Sequence, residues 1–261
     1  MFKRSSAPAL PRSFPLLAAA VGLLFSAPAV SAQDGDALLK AASDALYPDQ
    51  FFMRVKMETH RPERRDSTMV IESYHSAEDG SRLEIVEPAR SSGTRFLRKG
   101  DDLWMFSPRS NSSRAIRLSP RDSFQGSVFS NNDVGDPNYE DDYHASLEGS
   151  ETIDHPQLGT VQTRRIEARA SHPKAPYGRI TMWLRPEDDI PVKMEFYAKS
   201  GVLIKRMWLY DLKQLAGRLR PATFRMESIE IENAYSEVTI EELEKRDDLS
   251  ARLFSLNALT R

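Results

Sequence analysis

Histidine is the residue type in this chain best suited to bind a metal or act as a general base near neutral pH. The five histidines are far apart, at strand ends or in polar loops: His60, His75, His144, His155 and His172. None belongs to an HExxH sequence or another short metal-ligand pattern. The chain also lacks a G-x-S-x-G nucleophile motif, a Walker A motif and a glycine-rich dinucleotide-binding motif. The sequence therefore predicts no catalytic residue, no metal site and no cofactor.

Carboxylates are concentrated in one segment, at Asp133, Asp136, Glu140, Asp141 and Asp142. Carboxylate oxygens can bind calcium, but this segment lacks the spacing of an EF-hand loop and contains a proline. We therefore expect a solvated acidic loop rather than a calcium site.

Aromatic residues and arginines form two further candidate sets: Trp104, Phe106, Trp183, Trp208 and Tyr210, and Arg95, Arg98, Arg114 and Arg117. The aromatic residues could line a ligand pocket, although packing in a core is their usual role. Alternation alone leaves open whether Leu103 or Trp104 faces the interior. The arginines could bind phosphate or carboxylate groups, or form the charged outer face of a sheet.

Every methionine except Met1 lies in a short segment that reads as a β-strand, and most fall on its apolar face. Methionine is flexible and polarizable, so it suits both core gaps and surfaces that must fit varied apolar partners. The first role makes these residues ordinary core. The second predicts an apolar binding cavity, whose candidate residues are Met53, Val55, Met57, Met69, Ile71, Leu83, Ile85, Met105, Phe124, Phe129, Met182, Met194 and Phe196.

Period-two alternation between residues 51 and 240 predicts about a dozen short strands joined mostly by turns, among them strands at residues 51–60, 143–147 and 179–184. One face of these strands is apolar and the other is charged, which is typical of an antiparallel sheet with one face in water. Because a wide sheet twists and curls, we expect a mainly β (α+β) protein with a strongly curved antiparallel sheet around helices.

Three segments are predicted to be helical. Leu38, Leu39, Ala42 and Leu46 form a helical stripe that Asp34 or Asp36 could cap and Pro48 ends. Residues 119–138 carry little strand pattern, and a connection of this length is often functional. A last short helix, capped by Asp247 or Asp248, is expected to carry Leu249, Leu253 and Leu256. These helices are available to cover the apolar face.

The N-terminal residues have the features of an export signal. Lys3, Arg4 and Arg12 precede an apolar stretch, and Val30-Ser31-Ala32 is a small-x-small cleavage pattern. We expect residues 1–32 to be a cleaved signal peptide and residues 33–261 to be a single periplasmic domain. Without cysteine the chain forms no disulfide and has no lipidated N-terminal cysteine, so no permanent membrane anchor is expected. Removing residues 1–32 leaves a net charge of −5, which argues against nucleic-acid binding.

Residues 93–134, GTRFLRKGDDLWMFSPRSNSSRAIRLSPRDSFQGSVFSNNDV, resemble the signature region of the outer-membrane lipoprotein-sorting family, the LolA-like carriers. Ile190-Pro191, Leu219-Arg220-Pro221 and Leu253-Phe254-Ser255 fit the same family. The resemblance implies an incomplete β-barrel closed over by short helices, with an apolar interior for acyl chains of lipoproteins or lipids. It also suggests an RND- or MMPL-type inner-membrane exporter as a partner. No motif here aligns securely with the cargo-handling arginine of the family's best-known members.

Three functions are compatible with the sequence. The first is a periplasmic carrier or chaperone that holds acyl chains for outer-membrane lipoprotein sorting or lipid export. The alternative is a non-catalytic adaptor subunit of an RND-type envelope exporter, with a packed interior. A secreted hydrolase on a β scaffold is least favoured, although catalytic triads can be scattered in sequence.

Overall fold

The computed structural model describes residues 32–110, 114–135 and 139–261, so the expected signal peptide lies outside the described residues except for Ala32. One antiparallel sheet of thirteen strands forms most of the described chain. Its strands are β1 (Gln50–His60), β2 (Ser67–Ser76), β3 (Gly80–Glu87), β4 (Arg95–Lys99), β5 (Asp102–Phe106), β6 (Ile116–Arg117), β7 (Tyr143–His155), β8 (Gly159–Ala170), β9 (Arg179–Leu184), β10 (Pro191–Tyr197), β11 (Leu203–Leu215), β12 (Arg218–Ser228) and β13 (Tyr235–Lys245).

The strand order is β6-β5-β4-β3-β2-β1-β13-β12-β11-β10-β9-β8-β7. The sheet thus consists of two meanders joined by the pairing of β1 with β13, and β6 and β7 are its two edges. Because these edges are consecutive in the chain, the chain between them passes across the open side of the curved sheet. We call its described residues, 118–135 and 139–142, the connecting segment. The predicted fold class, an unclosed and strongly curved antiparallel sheet with few short helices, is confirmed.

The apolar stripe predicted near the N-terminus lies on helix α1 (Ala32–Leu46). Leu39, Ala42 and Leu46 are buried in the main core, as expected for one face of an amphipathic helix. The helix begins before both aspartates that were expected to cap it. Asp36 instead accepts a hydrogen bond from the backbone N–H of Ala145 on β7, at 2.6 Å, and this contact seats α1 on the sheet.

Gly35 of α1 lies close against the backbone of β7. A Cβ at this position would lie 2.2 Å from the carbonyl oxygen of Ala145 and 2.6 Å from the Cα of Ser146. In an ordinary helix, replacing glycine with alanine is stabilising. Here Gly35→Ala should instead lower the free energy of unfolding by about 1–3 kcal/mol, because the helix must move away from the strand. Chemical denaturation measures this change; Ala37→Ser on the exposed face of α1 is the control, and a stabilised Gly35→Ala variant would contradict the packing.

The C-terminal residues pack on the face opposite α1. A short 3₁₀ helix (Ala251–Phe254) and helix α3 (Leu256–Thr260) follow β13, and Ser250 and Ser255 cap them. Phe254 and Leu259 pack with Leu97 of β4, whose neighbour Phe96 faces the main core. The sequence predicted one final helix, capped by Asp247 or Asp248, over the apolar inner face. This prediction is wrong, because the structure has two short helices with serine caps, and they cover the outer face of the sheet. Successive residues of β4 face opposite sides, so its outer side needs its own apolar cover.

A separate apolar cluster lies on the outer face of β7 to β11, where Trp183 and Trp208 pack with Ile153 and Val192. The Lys193 ammonium lies over both indole rings, 3.9 Å from the centroid of Trp183 and 5.5 Å from that of Trp208. These aromatic side chains pack against the sheet surface and do not line the interior.

Candidate binding cavity

A cavity lies on the inner face of the sheet, beside β1 to β3 and β11 to β13. Its volume is about 90 Å³, within about 870 Å³ of atom-free space that includes the opening to solvent. Its walls are Leu46, Tyr47, Phe51, Met53, Val55, Met57, Ile71, Ser73, Tyr74, His75, Ser81, Leu83, Phe129, Asp133, Val134, Tyr139, Phe196, Met207, Phe224, Met226 and Val238. Strand β1 contributes four of these residues, Phe51, Met53, Val55 and Met57.

The walls are predominantly apolar, and four of the lining residues are methionines: Met53, Met57, Met207 and Met226. Asp133 is the only lining residue with a carboxylate among those the structure describes. Such a wall suits hydrocarbon, since methionine side chains can repack around a chain of variable shape.

The structure brings seven of the thirteen candidate residues together around this cavity: Met53, Val55, Met57, Ile71, Leu83, Phe129 and Phe196. The other six lie in the same core cluster or pack against it without lining the cavity: Met69, Ile85, Met105, Phe124, Met182 and Met194. Helix α1 contacts β7, β8, β10 and β12. It therefore fills the side of the sheet that carries Met182 and Met194 and leaves the β1–β3 side more open.

Alternation in the sequence did not identify Met207, Phe224, Met226 and Val238 as cavity residues. Met207 lies in a continuous apolar run, so its face could not be assigned. The strand register assigns Met207 to the inner face, because it pairs with Met194 and Met226, which both lie in the main core. The strand register also assigns Leu103 to the inner face. Leu103 pairs with Arg98, and Arg98 pairs with Ser81, which lines the cavity. Trp104 pairs with Leu97 in the outer cluster.

A buried histidine forms the polar end of the cavity. The His75 ring stacks on Phe51 at 5.0 Å, and its Nδ1 lies 2.8 Å from the Ser81 hydroxyl. Burial lowers the pKa of His75 to about 4; the nearby Arg98 charge lowers it further, and Asp49 opposes the shift. The ring is therefore neutral at pH 7.

This depressed pKa makes stability depend on pH. Between about pH 6.5 and pH 4 the unfolded chain binds a proton at His75 and the folded protein does not, so stability falls as pH falls through that window. Over the whole of this pH window, His75 lowers the free energy of unfolding by about 3 kcal/mol. We expect His75→Phe to show a smaller loss of unfolding free energy between pH 7 and pH 4.5 than the unmodified protein. His144→Asn, at an exposed histidine, keeps His75 and should keep the full loss; equal losses in all three proteins would exclude His75 as the source.

The connecting segment is held over the interior by hydrogen bonds from the sheet. Arg61, at the end of β1, donates to the carbonyl oxygens of Gly126 and Ser127 at 2.9 and 3.0 Å. The Ser236 hydroxyl accepts from the backbone N–H of Val128 at 2.9 Å. Arg98 donates to the side-chain oxygen of Asn132 on helix α2 (Asn131–Gly135) at 2.5 Å. Phe124, Val128 and Phe129 are buried beneath these contacts.

Two of the other arginines considered as anion ligands also have partners within the protein. Arg95 donates to Glu84 at 3.3 Å and to the carbonyl oxygen of Leu259 at 3.2 Å, which ties α3 to β4. Arg117 pairs with Asp102.

Asp133 of α2 joins the connecting segment to the far side of the sheet. Its carboxylate accepts from Lys205 of β11 at 3.0 Å, from the Tyr177 hydroxyl at 2.5 Å and from the backbone N–H of Ser130 at 2.7 Å. Burial and the adjacent Asp133 charge raise the pKa of Tyr177 well above its usual value, so its hydroxyl stays protonated. The segment read as a solvated acidic loop therefore begins with a buried carboxylate, while Asp136 lies outside the described residues.

Two further observations concern metals and membranes. Within residues 32–110, 114–135 and 139–261, no group of three or more histidine, aspartate or glutamate side chains is placed to hold a metal ion. None of the helices in those ranges has the length and apolar character needed to cross a membrane.

The fold is similar to that of solved proteins. The LolA superfamily protein NE2245 of Nitrosomonas europaea has a TM-score of 0.76 and 27% sequence identity, over 88% of this chain and 100% of that one. A proposed outer-membrane lipoprotein-sorting protein domain of Vibrio parahaemolyticus has a TM-score of 0.74 and 21% identity, with coverage of 88% and 100%. A DUF1329 family protein of Desulfovibrio piger has a TM-score of 0.75 and 21% identity, with coverage of 87% and 98%.

In sequence, a family model described as "-like: Uncharacterized protein" matches residues 77–261. No curated protein matches the chain. The match covers strands β3 to β13, the connecting segment and the C-terminal helices.

Proposed function

We propose that this chain, which belongs to the family whose model matches residues 77–261 and has a LolA-like fold, is a periplasmic carrier of acyl chains. It holds the acyl chains of lipoproteins or lipids in the apolar cavity, for outer-membrane lipoprotein sorting or lipid export. It performs no catalysis and requires no cofactor.

The observation that carries this proposal is the methionine-rich cavity itself. Each methylene of an acyl chain gains about 0.8 kcal/mol when it leaves water, so even a partly buried chain is held firmly. A carrier must also release its load, and a wall of flexible side chains can do both because its contacts are not rigid. Hydrogen bonds and buried apolar side chains, and no disulfide, hold the connecting segment over the cavity, so its local opening would admit a chain.

Residues that were candidate ligands from sequence fall into two groups under this proposal. Met53, Val55, Met57, Ile71, Leu83, Phe129 and Phe196 contact the acyl chain directly. Met69, Ile85, Met105, Phe124, Met182 and Met194 support that wall from behind or beside it. A ligand larger than the present space displaces side chains of the second group.

Measuring the lipid that copurifies with the protein tests the proposed carrier function. The full-length chain is produced with its own N-terminal residues, purified from the periplasm without detergent, extracted with organic solvent and analysed by mass spectrometry. We expect acylated lipid or lipopeptide at a substantial fraction of the protein concentration, and little from Met57→Asp protein that is folded by circular dichroism. A folded, unmodified protein that yields no acylated species would contradict the proposal.

A packed interior favours the alternative, an adaptor subunit of an RND- or MMPL-type inner-membrane exporter. The observation in its favour is that the cavity volume is only about 90 Å³. An adaptor would carry no lipid in the extraction experiment and would be cross-linked to an inner-membrane exporter in cells. A lipid-loaded protein with no such cross-link would exclude it.

A further inference from the structure

We propose that the cavity takes amphiphiles with an anionic headgroup, and that Lys205, Lys199 and Arg121 form the headgroup site in a cleft at its mouth. This inference rests on the proposed carrier function and adds the class of ligand to it.

Lys205 is an inward-facing cation at the edge of an apolar wall. It pairs across the sheet with Phe196, and Met207 follows two residues later on the same face of β11. Phe196 and Met207 line the cavity, whereas Lys205 does not. Residues two apart on a strand are separated by about 7 Å, so the backbone of Lys205 lies about that distance from that of the cavity residue Met207.

The cleft next to this lysine is basic. It has about 580 Å³ of atom-free space, open to solvent, and its walls are Arg121, Ser130, Pro176, Tyr177, Ala198, Lys199, Ile204 and Lys205. Three of these residues are cations and none is a carboxylate. The exposed Lys199 ammonium donates to the carbonyl oxygen of Pro173. Within the described part of the chain, Arg121 has neither an ion pair nor a hydrogen bond.

A thin partition separates the cleft from the cavity. Tyr177 lines the cleft and its ring contacts that of Phe196, a cavity residue, with centroids 4.9 Å apart. Asp133 lines the cavity and pairs with Lys205, which lines the cleft, at 3.0 Å. A tail in the cavity and a headgroup in the cleft would thus meet at Asp133.

Asp133 therefore occupies the position that an anionic headgroup needs. The side chains of Asp133 and Lys205 are 7% and 16% exposed, so the lysine charge is satisfied by this internal carboxylate in the ligand-free protein. A phosphate or carboxylate headgroup can replace it as the partner of Lys205, with Lys199 and Arg121 supplying further positive charge. A neutral headgroup has no charge with which to compete against Asp133, and this difference gives the site its selectivity.

The test compares three competitors for displacement of the neutral fluorophore N-phenyl-1-naphthylamine: hexadecyl phosphate, 1-monopalmitoylglycerol and inorganic phosphate. We expect hexadecyl phosphate to displace the fluorophore at a concentration at least tenfold lower than monopalmitoylglycerol, with a preference that shrinks as salt is raised. The double variant Arg121→Gln/Lys199→Gln, at two exposed positions, should reduce the preference to threefold or less. Lys213→Gln/Lys245→Gln removes two exposed lysines outside the cleft and should leave the preference unchanged.

The other outcomes separate this inference from the carrier function. Equal displacement by hexadecyl phosphate and monopalmitoylglycerol would overturn the headgroup site and leave the carrier function standing. Failure of the fluorophore and both amphiphiles to bind would overturn the carrier function. If inorganic phosphate bound the cleft in a way that the double variant abolished, while hexadecyl phosphate showed no advantage over monopalmitoylglycerol, the cleft would be a site for free phosphate and the inference would be wrong.

Discussion

Met57→Asp is expected to weaken binding of N-phenyl-1-naphthylamine by at least about 3 kcal/mol, roughly a hundredfold, because a carboxylate in an apolar wall must be desolvated or neutralised before hydrocarbon can contact it. Met57 is only 1% exposed and lines the cavity. Its neighbours across the sheet are Met69 and Val238, so no cation stands opposite to compensate the charge. Fluorescence titration of the purified variant measures the loss.

A second variant separates loss of binding from loss of folding. Met53 lines the same cavity but is half-buried, so Met53→Asp should fold and still bind the fluorophore at least tenfold less tightly. The matched control is Thr239→Asp, which places the same carboxylate on the outer face opposite Lys56. Unchanged binding in a folded Met53→Asp or Met57→Asp protein would remove those positions from the site.

Arg220→Met is expected to lower the free energy of unfolding by about 3 kcal/mol, a fall in Tm of roughly 6–12 °C for a chain of this size. Arg220 is 3% exposed and donates to the carbonyl oxygens of Asp44 at 2.7 Å and Leu215 at 3.2 Å. The last carbonyls of a helix have no partner within the helix, and a cation there also interacts favourably with the helix dipole. Burial and the neighbouring Arg218 charge lower the pKa of Arg220 to about 10, which still leaves it charged at neutral pH.

Arg218 provides the matched control for this prediction. It donates to the same carbonyl oxygen of Asp44, at 3.3 Å, but is exposed. Because water can replace an exposed hydrogen bond, Arg218→Met should change the free energy of unfolding by less than about 1 kcal/mol. Equal effects of the two substitutions, measured by thermal and chemical denaturation, would show that burial of Arg220 is not what stabilises the end of α1.

The architecture was largely predictable because alternation is a local property. The strands expected at residues 51–60 and 179–184 are β1 and β9 within one residue at each end. The strand expected at residues 143–147 continues to His155, since the second half of β7 has little apolar alternation. Pairing of β1 with β13 brings together residues far apart in the chain, and no local pattern records it.

The position of the cavity was less predictable because it depends on what covers each part of the inner face. Met57 and Met194 both show the alternation of an inward-facing residue. Helix α1 lies over the strands around Met194 and leaves space beside Met57. Likewise the sequence motif at Leu219-Arg220-Pro221 fits the family, but the sequence alone assigned no role to Arg220. Its role is set by the end of a helix more than 170 residues earlier.

The most direct test of the acyl-binding cavity is a crystal structure of the protein with 9,10-dibromostearate, in which anomalous scattering locates the bromine atoms. We expect bromine sites within the cavity, between Met57 on β1 and Met226 on β12, with the chain directed toward Lys205. Bromine found only on the outer face of the sheet, with the cavity side chains packed as they are without ligand, would contradict it.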